Sequence, residues 1–282
     1  MRRESSVASW IGAAVVVLGV LVAGVYLARK AMQPEAPPAT APASSSSMVS
    51  SASPTPIQHP ITQAGVGPAT ASTAALPALD DSDASVAAAL AALAEGSDLP
   101  SLLVRQQIIA RIVATIDALP RRGLASFMSP LNAPKGTFGV DQAAGITVIG
   151  AQNSARYSPY MQVVDAADPQ ALVAWYVHSY PLFQQAYQQL GYPKGYFNDR
   201  LIVVIDSLLT APEPSQSPTV MLSKGFYVYS DPSLESLSAG QKLLLRAGPA
   251  NEARIKTKLR AIRSALIGQA LPPAPAAASS AG

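Results

Sequence analysis

The 282-residue chain contains no cysteine, only two histidines, and charged side chains at just 13% of its positions. Without cysteine there is no disulfide framework, thiolate metal site, lipidated cysteine or cysteine nucleophile. His59 and His178 are too few for a His-rich metal site, and a Ser-His-Asp triad in the folded part would have to use His178 as its base. A Gly-x-Ser-x-Gly elbow, a Walker loop and a dinucleotide fingerprint are all missing. No cofactor or metal ion is therefore expected. A net charge of +3 is too small to point to nucleic acid.

What the chain does have is 25 prolines and 49% apolar residues, unevenly spread. Between Glu4 and Arg29 lie 24 uncharged residues, and the run Trp10 to Leu27 is almost wholly apolar. As a helix, 24 residues reach roughly 36 Å, enough to cross a hydrocarbon core of about 30 Å. Backbone groups in lipid must pair internally, so residues 1–30 are read as a short tail and a single-pass transmembrane helix, with residues 10–27 in the bilayer. A cleaved signal peptide is the competing reading, but Ala28, Arg29, Lys30, Ala31 and Met32 lack a small-x-small cleavage pattern. Ala8 with Gly12, and Gly19 with Ala23, match a small-xxx-small pattern by which the anchor could form a homodimer. Arg2 and Arg3 balance Arg29 and Lys30, yet the 74 residues after Lys30 carry no positive charge. That asymmetry predicts an inner-membrane protein with its C-terminal part in the periplasm.

Residues 31–78 hold one charge, Glu35, and are rich in Pro, Ala, Ser and Thr. Such composition cannot offset the entropy of ordering, so a disordered tether with a reach of roughly 40 Å is expected. The tail 271–282 has the same character.

Residues 79–270 read as a mainly α globular domain with a small β element. Asp80, Asp81, Ser82 and Asp83 offer N-caps to a helix with Val86, Leu90 and Leu93 on one face. Asp98 and Pro100 open a longer helix that keeps its period to Pro120. A hairpin is expected from Phe138–Val140 against Ile146–Ile149, and an extended segment over 219–229. Asp168 and Pro169 start a helix to Leu190 that Pro181 should kink. Asn198 caps a helix to Leu209, and two more helices cover about 232–247 and 250–267, the last with an Ile255, Leu259, Ile262, Leu266 stripe.

Three stretches, LPALDDSDASV at 76–86, YPLFQQAYQQLGYPKGYFNDRLIVVIDSLL at 180–209 and LSAGQKLLLRAGPANEARIKTKLRAIRSAL at 237–266, resemble a bacterial family catalogued as domain of unknown function 3014. The resemblance implies an envelope protein with an N-terminal anchor and a low-complexity tether. It implies no activity and no catalytic residues.

Of 17 aromatic residues, 13 fall between Tyr157 and Tyr229. Tyrosines suit stacking on sugars or gripping a peptide, although an aromatic core is the plainer account of the cluster as a whole. The loop Gly191–Phe197 stands apart, because two glycines and a proline make a turn that presents Tyr192, Lys194 and Tyr196 together. The candidate binding residues are Tyr157, Tyr160, Tyr192, Lys194, Tyr196, Asn198, Asp199 and Arg200, and the partner an envelope protein or peptidoglycan, with no nucleic acid. The domain is thus expected to be a non-enzymatic binding or scaffold module. The alternative is an enzyme acting on cell-wall material through Asp199 and Asp206, seven residues apart and about 10 Å along a helix, at the wide end for paired carboxylates. Capping and an ion pair with Arg200 are the plainer use of Asp199. The Asp80, Asp81, Asp83 cluster lacks the glycine and closing glutamate of a calcium loop. From Gln241 to Ile267 there are seven basic residues and one acidic, against five acidic and none basic from Asp80 to Asp98. The basic helix is a solvated face, a partner of the acidic segment, or a contact for anionic polymers and lipid headgroups, including the inner leaflet if the domain were cytoplasmic.

Overall fold

The computed structural model describes residues 56–61, 76–123 and 129–268. The expected membrane helix at 10–27, most of the tether and the tail 271–282 lie outside the described residues. Among the described residues no helix is long and apolar enough to cross a membrane.

The domain is mainly helical, as expected, and its β content is two antiparallel hairpins. After a 3-10 turn at Leu79–Asp81 come α1 (Asp83–Leu93), α2 (Leu99–Leu102) and α3 (Ile108–Ala118). Strands β1 (Val140–Ala143) and β2 (Ile146–Ile149) lead to α4 (Ala151–Ala155), α5 (Ser158–Ala166), α6 (Pro169–Gln189) and α7 (Phe197–Leu209). Then follow β3 (Val220–Ser223), β4 (Phe226–Tyr229), α8 (Pro232–Glu235), α9 (Ala239–Ala247) and α10 (Pro249–Ile267).

The core is built around α6, which packs between α3 and α10, with α7 lying against the same two helices. Ile109, Ile112, Val113 and Ile116 of α3 meet Tyr176, Phe183 and Tyr187 of α6 and Ile202 and Ile205 of α7 in one apolar cluster. The Ile255, Leu259, Ile262, Leu266 stripe of α10 is buried, as its period requires. Asp168 caps α6 by accepting a hydrogen bond from the Ala171 amide at 2.8 Å, and the helix continues through Pro181.

Five local expectations are corrected. The helix from Asp98 to Pro120 is two helices, because Leu103 pairs with Leu131 and the Val104 amide donates to the Pro130 carbonyl at 2.9 Å. Gln107 then takes a left-handed conformation at φ 52°, and the Asp83 carboxylate accepts from the Gln107 and Ile108 amides. Asp83 thus caps α3 across space instead of its own helix. The segment 219–229 is a hairpin, not a single extended strand: Lys224 (φ 50°) and Gly225 (φ 86°) make a two-residue turn with both central residues left-handed. Ala144 (φ 50°) and Gly145 (φ 75°) do the same between β1 and β2, which moves the first strand two residues past the expected Phe138 start. Finally, the 232–247 helix is split by Ser238, whose hydroxyl accepts from the Gln241 amide in a capping box.

The two hairpins lie side by side through a Val148–Thr219 bridge and enclose a small second cluster of Ile149, Val220, Tyr229 and Leu245.

Candidate functional site

The turn between α6 and α7 forms one wall of an open cleft of about 490 Å³. Tyr192, Pro193, Lys194 and Gly195 make a β-turn closed by the Gly195 amide donating to the Tyr192 carbonyl at 3.1 Å. Proline at the second position and glycine at the fourth are what such a turn favours. Gly195 is also needed for space, since a Cβ there would come within 2.9 Å of the Tyr187 ring. The Tyr187 and Tyr192 rings stack at 4.6 Å.

Gln184, from the preceding helix, holds this turn. Its amide nitrogen donates to the Gly195 carbonyl at 2.7 Å, and its oxygen accepts from the Phe197 amide and the Tyr180 hydroxyl, each at 2.9 Å. Asp117 of α3, buried in the domain, holds it from below. Its carboxylate accepts from Arg200 Nε at 2.9 Å, from the Tyr192 hydroxyl at 3.1 Å and from Arg121. Arg200 also donates to the Asp117 carbonyl at 2.7 Å. One carboxylate therefore ties the loop tyrosine and the first turn of α7 to the core. Two guanidinium groups share that single negative charge, so with Lys194 the cleft floor and rim are locally basic beside Asp199.

The opposite side of the cleft carries a segment from the stretch read as tether. Gln58 and His59 bend so that their successive amides donate to Asp199, to Oδ2 at 3.0 Å and to Oδ1 at 2.7 Å. Asn198 Nδ2 donates to the His59 carbonyl at 2.8 Å. Pro56 and Gln58 line the cleft with Tyr187, Tyr192, Lys194 and Tyr196.

Six of the eight expected binding residues are thus brought together. Tyr192, Lys194, Tyr196, Asp199 and Arg200 line the cleft, and Asn198 holds the docked segment at its edge. Tyr157 and Tyr160 are not part of it. Both are buried core residues, 0% and 2% exposed. Burial pushes the Tyr160 hydroxyl up to about 12 and the Tyr157 hydroxyl higher still, so both are neutral phenols. Asn198 is not the cap of α7 either. Tyr196 holds that position, while Asn198 is buried in the first turn and accepts from the Tyr176 hydroxyl at 3.2 Å. Asp199 caps nothing locally and does not pair with Arg200, which turns to Asp117 instead. Asp206 pairs with Arg263, at 3.1 Å between Nη2 and Oδ2. The two carboxylates of the catalytic alternative are accordingly committed to different partners.

Asp117 and Gln184 escaped the sequence reading. An acid among Ile112, Val113, Ile116 and Leu119 was the signal for the first; nothing marked the second. Among the described residues no ion pair joins the basic C-terminal segment to the acidic one: its ion-pair partners are Asp165, Asp206, Glu213, Glu235 and Glu252.

These features define a small helical domain with an open aromatic and charged cleft at the α6–α7 turn. Residues 108–263 match the family described as protein of unknown function (DUF3014), and the chain belongs to that family. The match runs from α3 into α10 and so includes Asp117, Gln184 and the whole α6–α7 turn, but not the docked segment 56–61. No curated protein and no solved structure matches the chain.

Proposed function

We propose that the protein is a bacterial envelope protein anchored in the inner membrane by residues 10–27, whose helical domain is a non-enzymatic binding module displayed in the periplasm on the tether. The ligand surface is the α6–α7 cleft. One observation carries this reading: the cleft is built as a rigid recognition site, with its walls fixed from beneath by buried Asp117 and by Gln184 while tyrosine faces and Lys194 are left open above. Preorganised aromatic and charged groups on a supported loop are what binding needs, since little ordering entropy remains to be lost. The topology rests on the uncharged run and the 74-residue stretch without a positive charge.

A photo-reactive amino acid at position 196 of the full-length chain, activated in living cells, tests the reading. Adducts with an envelope protein or with wall material are expected from position 196 and absent from a control at exposed position 221 on the β3–β4 hairpin. Only solvent or self-crosslinks at 196 would overturn it.

A further inference from the structure

We infer that the α6–α7 cleft is a peptide site that reads main chain, and that Pro56–Ile61 of this same chain is its resident occupant, which a partner peptide of like chemistry must displace. This rests on the reading of the cleft as the ligand surface and assigns its ligand class.

Among the described residues, the polar contacts of Asp199 and Asn198 to the segment are to its backbone. Asp199 receives two successive amides, one on each carboxylate oxygen, and Asn198 donates to the carbonyl of the second residue. Three main-chain bonds on two adjacent residues fix the direction and position of a peptide without requiring particular side chains there. The carboxylate makes both of its bonds charge-assisted. It also stands in the first turn of α7, where an acid is favoured by the helix dipole.

The flanking residues supply the rest of the recognition. Pro56 borders the cleft across from Tyr187, Tyr192 and Tyr196, aromatic faces of the kind that proline-containing peptides use. Pro60 restricts His59 before it, lowering the entropy lost on docking, and Ile61 packs against the main core. Ile57, by contrast, is exposed and free of this recognition. The motif the site takes is therefore a proline-flanked bend presenting two amides and a carbonyl to Asp199 and Asn198. Because the occupant is covalently attached, its effective concentration is set by the chain and a free peptide competes at a disadvantage.

The test uses the full-length chain in detergent and a fluorescent synthetic peptide covering Pro56–Ile61 with three flanking residues at each end. In one chain residues 56–61 are replaced by six Gly and Ser residues. Fluorescence anisotropy is expected to show saturable binding to the replaced chain, at least ~10-fold weaker binding to the unmodified chain, and at least ~10-fold loss when Asp199→Ala is added to the replaced chain. A peptide N-methylated at Gln58 and His59 should bind at least ~10-fold more weakly to the replaced chain. That last arm compares two peptides on one and the same protein, so a difference between them cannot come from a folding defect of the Asp199 variant. No binding to the replaced chain, equal binding to both chains, or equal binding of the N-methylated peptide would each overturn the inference. If position 196 still crosslinks an envelope partner when the peptide fails, the ligand class alone is wrong. If both fail, the cleft is not the ligand surface.

Discussion

Asp117→Ala is expected to destabilise the domain by about 3 kcal/mol and to loosen the α6–α7 turn. The carboxylate is buried and meets three donors, so its removal strands Arg200, whose side chain is only 25% exposed, and leaves the Tyr192 hydroxyl without its acceptor. Arg121 suffers less, because it is 57% exposed and can turn to water. Arg121→Ala should therefore cost no more than about 0.5 kcal/mol. For a domain of this size the Asp117 variant should melt about 6 to 12 °C lower in a thermal scan, while the Arg121 variant stays within about 2 °C of the parent. Equal losses for the two would mean that Asp117 acts as an ordinary surface ion-pair partner and does not hold the cleft.

Lys256→Met should be as costly, and its cost should depend on pH. Lys256 is 1% exposed, donates to the Ala211 carbonyl at 2.6 Å and to Glu213 at 2.7 Å, and stands 3.0 Å from Glu252 Oε1. Burial raises the Glu252 carboxyl above its ordinary value although Lys256 pulls it down. A carboxyl raised in the folded state contributes stability below the ordinary glutamate range and loses it as pH rises through the folded value. Glu213 is held low by its hydrogen bond from Lys256, so its contribution is present above the ordinary range and is lost as pH falls through its folded value. The two oppose one another in the parent protein. Methionine removes the cation that both depend on, which raises Glu252 further and abolishes the Glu213 contribution. The variant should then lose about 3 to 5 kcal/mol near neutral pH and progressively less as pH falls toward the ordinary glutamate range, as measured by denaturant unfolding. Adding Glu252→Leu should restore most of the loss, because the stranded carboxylate is its cause.

The helical plan was legible because long apolar periods have no other use. The Ile255 to Leu266 stripe, the Asp168 cap and the α6–α7 turn all announce themselves through side-chain type and spacing. The failures share a physical origin, in partners distant along the chain. The break after α2 depends on Leu131, and the cap of α3 comes from Asp83, so neither is written in the local pattern. Both two-residue turns put an alanine or a lysine at positive φ, where only the following glycine gave a hint. Tyr157 and Tyr160 look like surface tyrosines, yet the core takes the rings; the Tyr160 hydroxyl donates to the Asn132 carbonyl at 2.6 Å. The cleft was recognised in part because its turn residues are local. Its support from Asp117 and its contact with Gln58 and His59, 141 and 140 residues away from Asp199, could come only from tertiary structure.

Amide hydrogen exchange at Gln58 and His59 in the full-length protein tests the central claim most directly, since both amides donate to Asp199 at the cleft. Exchange at least ~10-fold slower than in a free peptide of the same sequence, and restored to the free rate by Asp199→Ala, is the predicted result. Exchange at the free-peptide rate in the unmodified protein would contradict the account.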